Sequence, residues 1–176
     1  TVSGGDSNEA QEDYSSVLGG LSNIASGKYS SILGGYNHKA IGEYSSVGGG
    51  YGAEATQDYS NVSSGKDNKA SGQYASVSGG EDNEASGLHS NVSGGFDCSS
   101  TGDKSVVAGG ESNVAAGISS AVSGGLDNAA AANYSTVSGG QLGIVTTDSE
   151  HATVGGGHFN TIDGQYSTVS GGDSNP

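Results

Sequence analysis

Apolar and polar residues alternate along this chain in short bursts, and the bursts recur at a fixed spacing. A Val or Ile precedes a glycine pair at Val2, Val17, Ile32, Val47, Val77, Val92, Val107, Val122, Val137, Val154 and Val169, and Val62 holds the same place before Ser64-Gly65. The same interval separates each anchor from the next, as from Val2 to Val17, except that the step from Val137 to Val154 is longer. With the anchor as position 0, positions −2, +6, +8 and +10 carry mostly Ser, Asn, Ala and Gly. The odd positions between them hold most of the polar and charged residues. Such alternation predicts strands with one buried face. Two short strands are expected per copy, Tyr-Ser-Ser-Val-x and x-Asn-x-Ala-x. The glycine pair between them supplies a sharp turn, and a second Gly near +10, such as Gly27, Gly42, Gly72, Gly87 or Gly117, is expected to permit the other.

One copy cannot bury its own inner face. Stacked copies, spaced about 4.8 Å apart, can pair strand to strand. The expectation is an all-β, parallel β-solenoid of about twelve 15-residue coils, forming one repeat domain over residues 1–176. The extra residues of the long step, around Asp148-Ser149-Glu150, should bulge from a turn without breaking the stack.

Composition alone points elsewhere. Gly makes up 34 of 176 residues, Met, Trp and Arg are absent, and the net charge is −14. Few large apolar side chains with high net charge is the profile of a disordered chain. The repeat overturns that inference, because a thin coil interior filled by one Val or Ile per copy needs few large residues. Five basic residues against nineteen acidic ones argue against nucleic acid, whose phosphates need Lys and Arg clusters. No apolar run approaches a membrane span, so no membrane insertion is expected in this segment.

The Asn column holds Asn8, Asn23, Asn68, Asn83, Asn113, Asn128, Asn160 and Asn175, with His38, Ala53, Cys98 and Gly143 as interruptions. It reads as a ladder of amides bonded to each other and to turn backbone.

Segments such as Tyr29-Ser30-Ser31-Ile32-Leu33-Gly34-Gly35, Asn83-Glu84-Ala85-Ser86-Gly87 and Asn113-Val114-Ala115-Ala116-Gly117 resemble the head repeats of YadA-like trimeric autotransporter adhesins. The likeness spans essentially the whole chain. The period here is 15, and where the family usually has Ala after the Val, Ser or Leu precedes a Gly pair. The resemblance implies a left-handed β-roll, a homotrimer and an adhesive or spacer role at a cell surface.

Outward columns are where function can be written. Tyr14, Tyr29, Tyr44, Tyr59, Tyr74, Tyr134 and Tyr166 share position −3. They read as an aromatic ladder or subunit contact, with a carbohydrate- or surface-binding stripe as the alternative. Hydroxyl rows flank the anchor: Ser16, Ser31, Ser46, Ser76, Thr136, Thr153 and Thr168 on one side, Ser78, Ser138 and Ser170 on the other. They read as a solvated or self-associating face, with ice binding as the alternative. Leu18, Leu33, Gly48, Val106 and Ala108 interrupt them. The number of outward apolar residues suggests cover by another chain, a homotrimer first. The partial copies at the two ends read as a piece of a longer array or as an end-to-end filament.

Chemistry-bearing motifs are not found. Acidic residues scatter instead of forming a calcium column, no Cys/His spacing fits zinc, and no His lines up with a nucleophile and an acid. No enzyme activity, metal or cofactor is expected. The reading is a non-enzymatic extracellular structural or adhesive module that presents registered side-chain rows for multivalent attachment.

Overall fold

The computed structural model describes residues 1–175; Pro176, the last residue of the final partial copy, lies outside the described residues. The chain winds as a parallel β-solenoid with two eleven-stranded sheets. One sheet runs from Ser16–Val17 to Thr168–Val169 and the other from Glu9–Ala10 to Thr161–Ile162. Eleven strands per sheet arise from twelve copies because the terminal copies are partial. Each residue pairs with its counterpart in the next coil, Val17 with Ile32 and Ala25 with Ala40. Among the described residues there is no helix.

The strands are two residues long rather than the five that the alternation predicts. Left-handed corners cut them short. The second Gly of each pair has φ of 84–119°, and the residue two further on is also left-handed, from Ser7 at 54° to Ser174 at 58°. The third corner is the Tyr column, where φ is 55–60° at all eleven positions from Tyr14 to Tyr166. The turn expected of Gly27 and its equivalents is therefore made two residues later, by non-glycine residues. Gly27 serves another purpose. A Cβ there would overlap the Gly42 carbonyl of the next coil, so the glycine permits close coil-to-coil approach. A third file of pairing, not foreseen in the alternation, links single residues after the glycine pair, from Asp6–Leu21 through to His158–Asp173.

The interior follows the periodicity. The anchors from Val17 to Val154 and the Ala column (Ala25, Ala40, Ala55, Ala70, Ala85, Ala115, Ala130) are buried. Each buried Val contributes about 1.5–3 kcal/mol, repeated at every coil. The Asn column closes the polar side of this core. The Asn23 amide donates to the carbonyls of Gly19 and of Gly35 in the next coil, at 3.1 and 3.0 Å. Its Oδ1 accepts the His38 N–H at 3.0 Å. Asn83 and Asn128 repeat the pattern. One buried amide thus satisfies three backbone groups that the corner would otherwise strand.

The extra residues settle at Thr147 and Asp148, both exposed, one step earlier than expected. Ser149 is buried where Gly stands in other coils and donates to the Ile162 carbonyl at 3.0 Å. The stack continues across the bulge, with Thr136 paired to Thr153.

Candidate functional site

The first-sheet face is the broadest regular surface. Ser16, Ser31, Ser46, Asn61, Ser76 and Asn91 follow one another in direct register along one file. Their side chains alternate with the buried anchors, so they project outward, half-buried between neighbours. Ser78, Ser138 and Ser170 stand exposed in the parallel file two residues on. Val106 and Ala121 interrupt the first file before Thr136, Thr153 and Thr168 resume it in register. The hydroxyl rows are therefore real, as two polar stretches parted by a short apolar one.

Two amides in that file fall outside the Ser/Thr reading. Asn61 donates to the Ser46 hydroxyl and Asn91 to the Ser76 hydroxyl, each at 2.6 Å. Ser63 and Ser93 donate back to the same amide oxygens at 3.0 Å. Ser and Asn thus alternate over four coils, with the pairs Ser46–Asn61 and Ser76–Asn91 hydrogen-bonded across the gap. Reading whole columns, rather than residue types, finds them. Beside them lies an open notch of about 300 Å³ lined by Ser31, Leu33, Ser46, Gly48, Asn61 and Ser63. It exists because Gly48 presents no side chain in a file that carries Leu33 before it and Ser63 after it.

The Tyr column stacks. Tyr14, Tyr29, Tyr44, Tyr59 and Tyr74 lie 4.7–5.0 Å apart, centroid to centroid, within 3–11° of parallel. His89 continues the run beyond Tyr74 at 4.6 Å. Lys104 and Ser119 break it. A second run, Tyr134–His151–Tyr166, follows with spacings of 4.9 and 5.0 Å. Stacking turns each ring face toward the next ring and leaves the ring edges to solvent. A sugar ring docks on an aromatic face, so this geometry favours the ladder over a carbohydrate-stacking stripe along its length. The Tyr59 phenol lies above its usual pKa, through desolvation first and then the neighbouring Tyr74 and Tyr44 phenols.

The second-sheet face changes along its length. Lys39, Glu54, Lys69 and Glu84 succeed each other in register, with ion pairs at 2.6 Å (Lys39–Glu54) and 3.7 Å (Lys69–Glu84). Beyond Ser99 the same file becomes Val114, Ala129, Ile144 and Thr161. On the third file, the ion pair Lys66–Glu81 holds the Lys66 ammonium above its usual pKa, chiefly by the Glu81 hydrogen bond. These are surface pairs, screened by solvent, and they add little to stability.

Among the described residues no three His, Cys, Asp or Glu side chains gather as a metal site. Cys98 and His38 sit in the Asn column, fully buried. Burial raises the Cys98 thiol and lowers the His38 imidazole. Among the described residues no helix is long and apolar enough to cross a membrane.

Compared with known proteins, the chain matches no protein-family model and no curated relative.

Proposed function

We propose that the chain is a non-enzymatic structural and adhesive repeat module of a cell surface or extracellular assembly. Its working part is the first-sheet face. The observation that carries this reading is the register of that face, in which a hydroxyl or amide side chain recurs at nine of eleven strands, all but those of Val106 and Ala121. A row of weak contacts at fixed spacing adds up by multivalency, whereas any single Ser or Asn contact is weak. The net charge of −14 keeps a long stack of coils soluble. The same reading has the chain associate with copies of itself, a homotrimer first, with the apolar end of the second-sheet face at Val114, Ala129 and Ile144 among the covered surfaces. Light scattering tests that part by mass.

Retention on an insoluble hydroxyl-bearing surface, with cellulose as the probe, tests the face itself. Replacing Ser76, Ser78, Thr136 and Ser138 together by Lys should lower retention at least as much as the loss of two coils, with the circular dichroism unchanged. Full retention by that variant overturns the assignment of this face.

A second reading has its own observation. Thr136, Thr153 and Thr168 form an uninterrupted threonine file at consecutive coils, as an ice-binding face requires. Thermal hysteresis at millimolar protein supports it, and its absence removes it.

A further inference from the structure

We propose that the first tyrosine run, Tyr14 to Tyr74, is a site of oxidative cross-linking that closes neighbouring coils covalently through dityrosine bonds. The co-reactant is hydrogen peroxide used by a haem peroxidase. This goes beyond attachment and does not depend on it.

Four consecutive Tyr–Tyr contacts in this run have centroids 4.7–5.0 Å apart and nearly parallel rings. The phenols are exposed along their edges, where a small oxidant or a diffusing radical meets them. Each ring is held there by its own left-handed backbone corner, at φ of 57–59° from Tyr14 to Tyr74, and by the coil register. Two radicals formed on adjacent rings therefore meet on a rigid scaffold, at an effective concentration that separate molecules cannot match.

The step balances. Each of two phenols gives up one electron and one proton from its O–H, and one peroxide takes both pairs to become two waters. The radicals join through ring carbons ortho to oxygen, forming one C–C bond. The two ortho hydrogens then move to the oxygens and restore both phenols.

The second run supplies an internal control. His151 stands between Tyr134 and Tyr166, so no two phenols touch there. A tilted pair, Tyr36–Tyr51 at 5.3 Å and 33°, lies in the third file of pairing and is a fifth contact between tyrosines of adjacent coils.

The experiment treats the whole chain, at a concentration low enough to keep it dispersed, with peroxidase and hydrogen peroxide. Protease digestion and mass spectrometry then locate the links. The expected result is links between tyrosines of adjacent coils within Tyr14–Tyr74, with none joining Tyr134 to Tyr166. Tyr44→Phe should abolish the links from Tyr29 to residue 44 and from residue 44 to Tyr59, and leave Tyr14–Tyr29 and Tyr59–Tyr74. In urea this preference for adjacent coils should vanish. Links that form only between chains, that join Tyr134 to Tyr166 as often, or that keep the same pattern in urea overturn the proposal.

Discussion

The Asn23 side-chain oxygen accepts the backbone N–H of His38 at 3.0 Å, and the His38 ring repeats the role one coil later, accepting the Ala53 N–H on Nδ1 at 3.0 Å. An imidazole thus stands in for an amide. Accepting on Nδ1 places the neutral ring's hydrogen on Nε2, which is buried toward the Gly50 backbone without a well-formed hydrogen bond. Protonation would remove the acceptor and bury a cation. Burial accordingly holds the His38 pKa below its usual value. The sign follows: the contribution of neutral His38 is intact above about pH 6.5, the unfolded value. It falls away as pH drops from there toward the lowered folded value. His38→Asn should flatten this acid dependence and raise stability below pH 6. Thermal melts of both proteins across pH 4–8 check it, and an equal acid loss in the variant contradicts it.

Two glycines separate space from conformation. A Cβ on Gly27 would overlap the Gly42 carbonyl oxygen, while one on Gly19 meets nothing within 4 Å. The Gly27 N–H also donates to the Ala40 carbonyl at 3.2 Å. Gly27→Ala should cost about 1–3 kcal/mol by overpacking, and Gly19→Ala less than about 0.5 kcal/mol. Urea denaturation measures both, and equal effects would contradict the close coil-to-coil approach at Gly27.

The two buried polar columns should respond in opposite ways. The Asn83 amide bonds the carbonyls of Gly79 and Gly95 and accepts the Cys98 N–H. The Ser90 hydroxyl is buried without a partner, and Ala75 and Ala152 already occupy that column. Asn83→Ala should cost about 2–4 kcal/mol, since two or more backbone groups lose partners at about 1–3 kcal/mol each. Ser90→Ala should be neutral or stabilising, because removing an unsatisfied hydroxyl relieves a desolvation penalty. Equilibrium unfolding of the pair checks the ranking.

Alkaline titration followed in the ultraviolet reports on the ladder. Tyr59 ionises above the usual phenol value, through desolvation and through the phenols on either side. Tyr74→Phe, which removes a neighbour whose ionisation opposes that of Tyr59, should bring Tyr59 down. A curve that loses the amplitude of one phenol with no shift in the midpoints of the others contradicts the stacked arrangement.

How much of this is legible in the sequence depends on where the determinants lie. The pairing of Val17 with Ile32 and of Ala25 with Ala40 can be read at once, because a one-residue slip would expose a whole column. The outward placement of Tyr44 and Ser76 follows from the same alternation. The left-handed backbone of Tyr44 does not, since Tyr is an unlikely residue for positive φ and only the stacking of coils imposes it. Gly27 looks like a turn residue for the same reason: its constraint is the carbonyl of the next coil, which no local reading contains. Asn61 and Asn91 do not stand out as members of the hydroxyl file because their pairing with Ser46 and Ser76 spans coils.

The central claim is that attachment is distributed over registered coils of one face and is not confined to a single site. Retention on cellulose of proteins lacking one, two or three whole coils, cut at equivalent positions of successive copies to preserve register, tests it most directly. The logarithm of retention should fall in equal steps with each polar coil removed, wherever it lies in the file, and change less when the coils of Val106 and Ala121 are removed. Retention that holds steady until one particular coil is lost would contradict it.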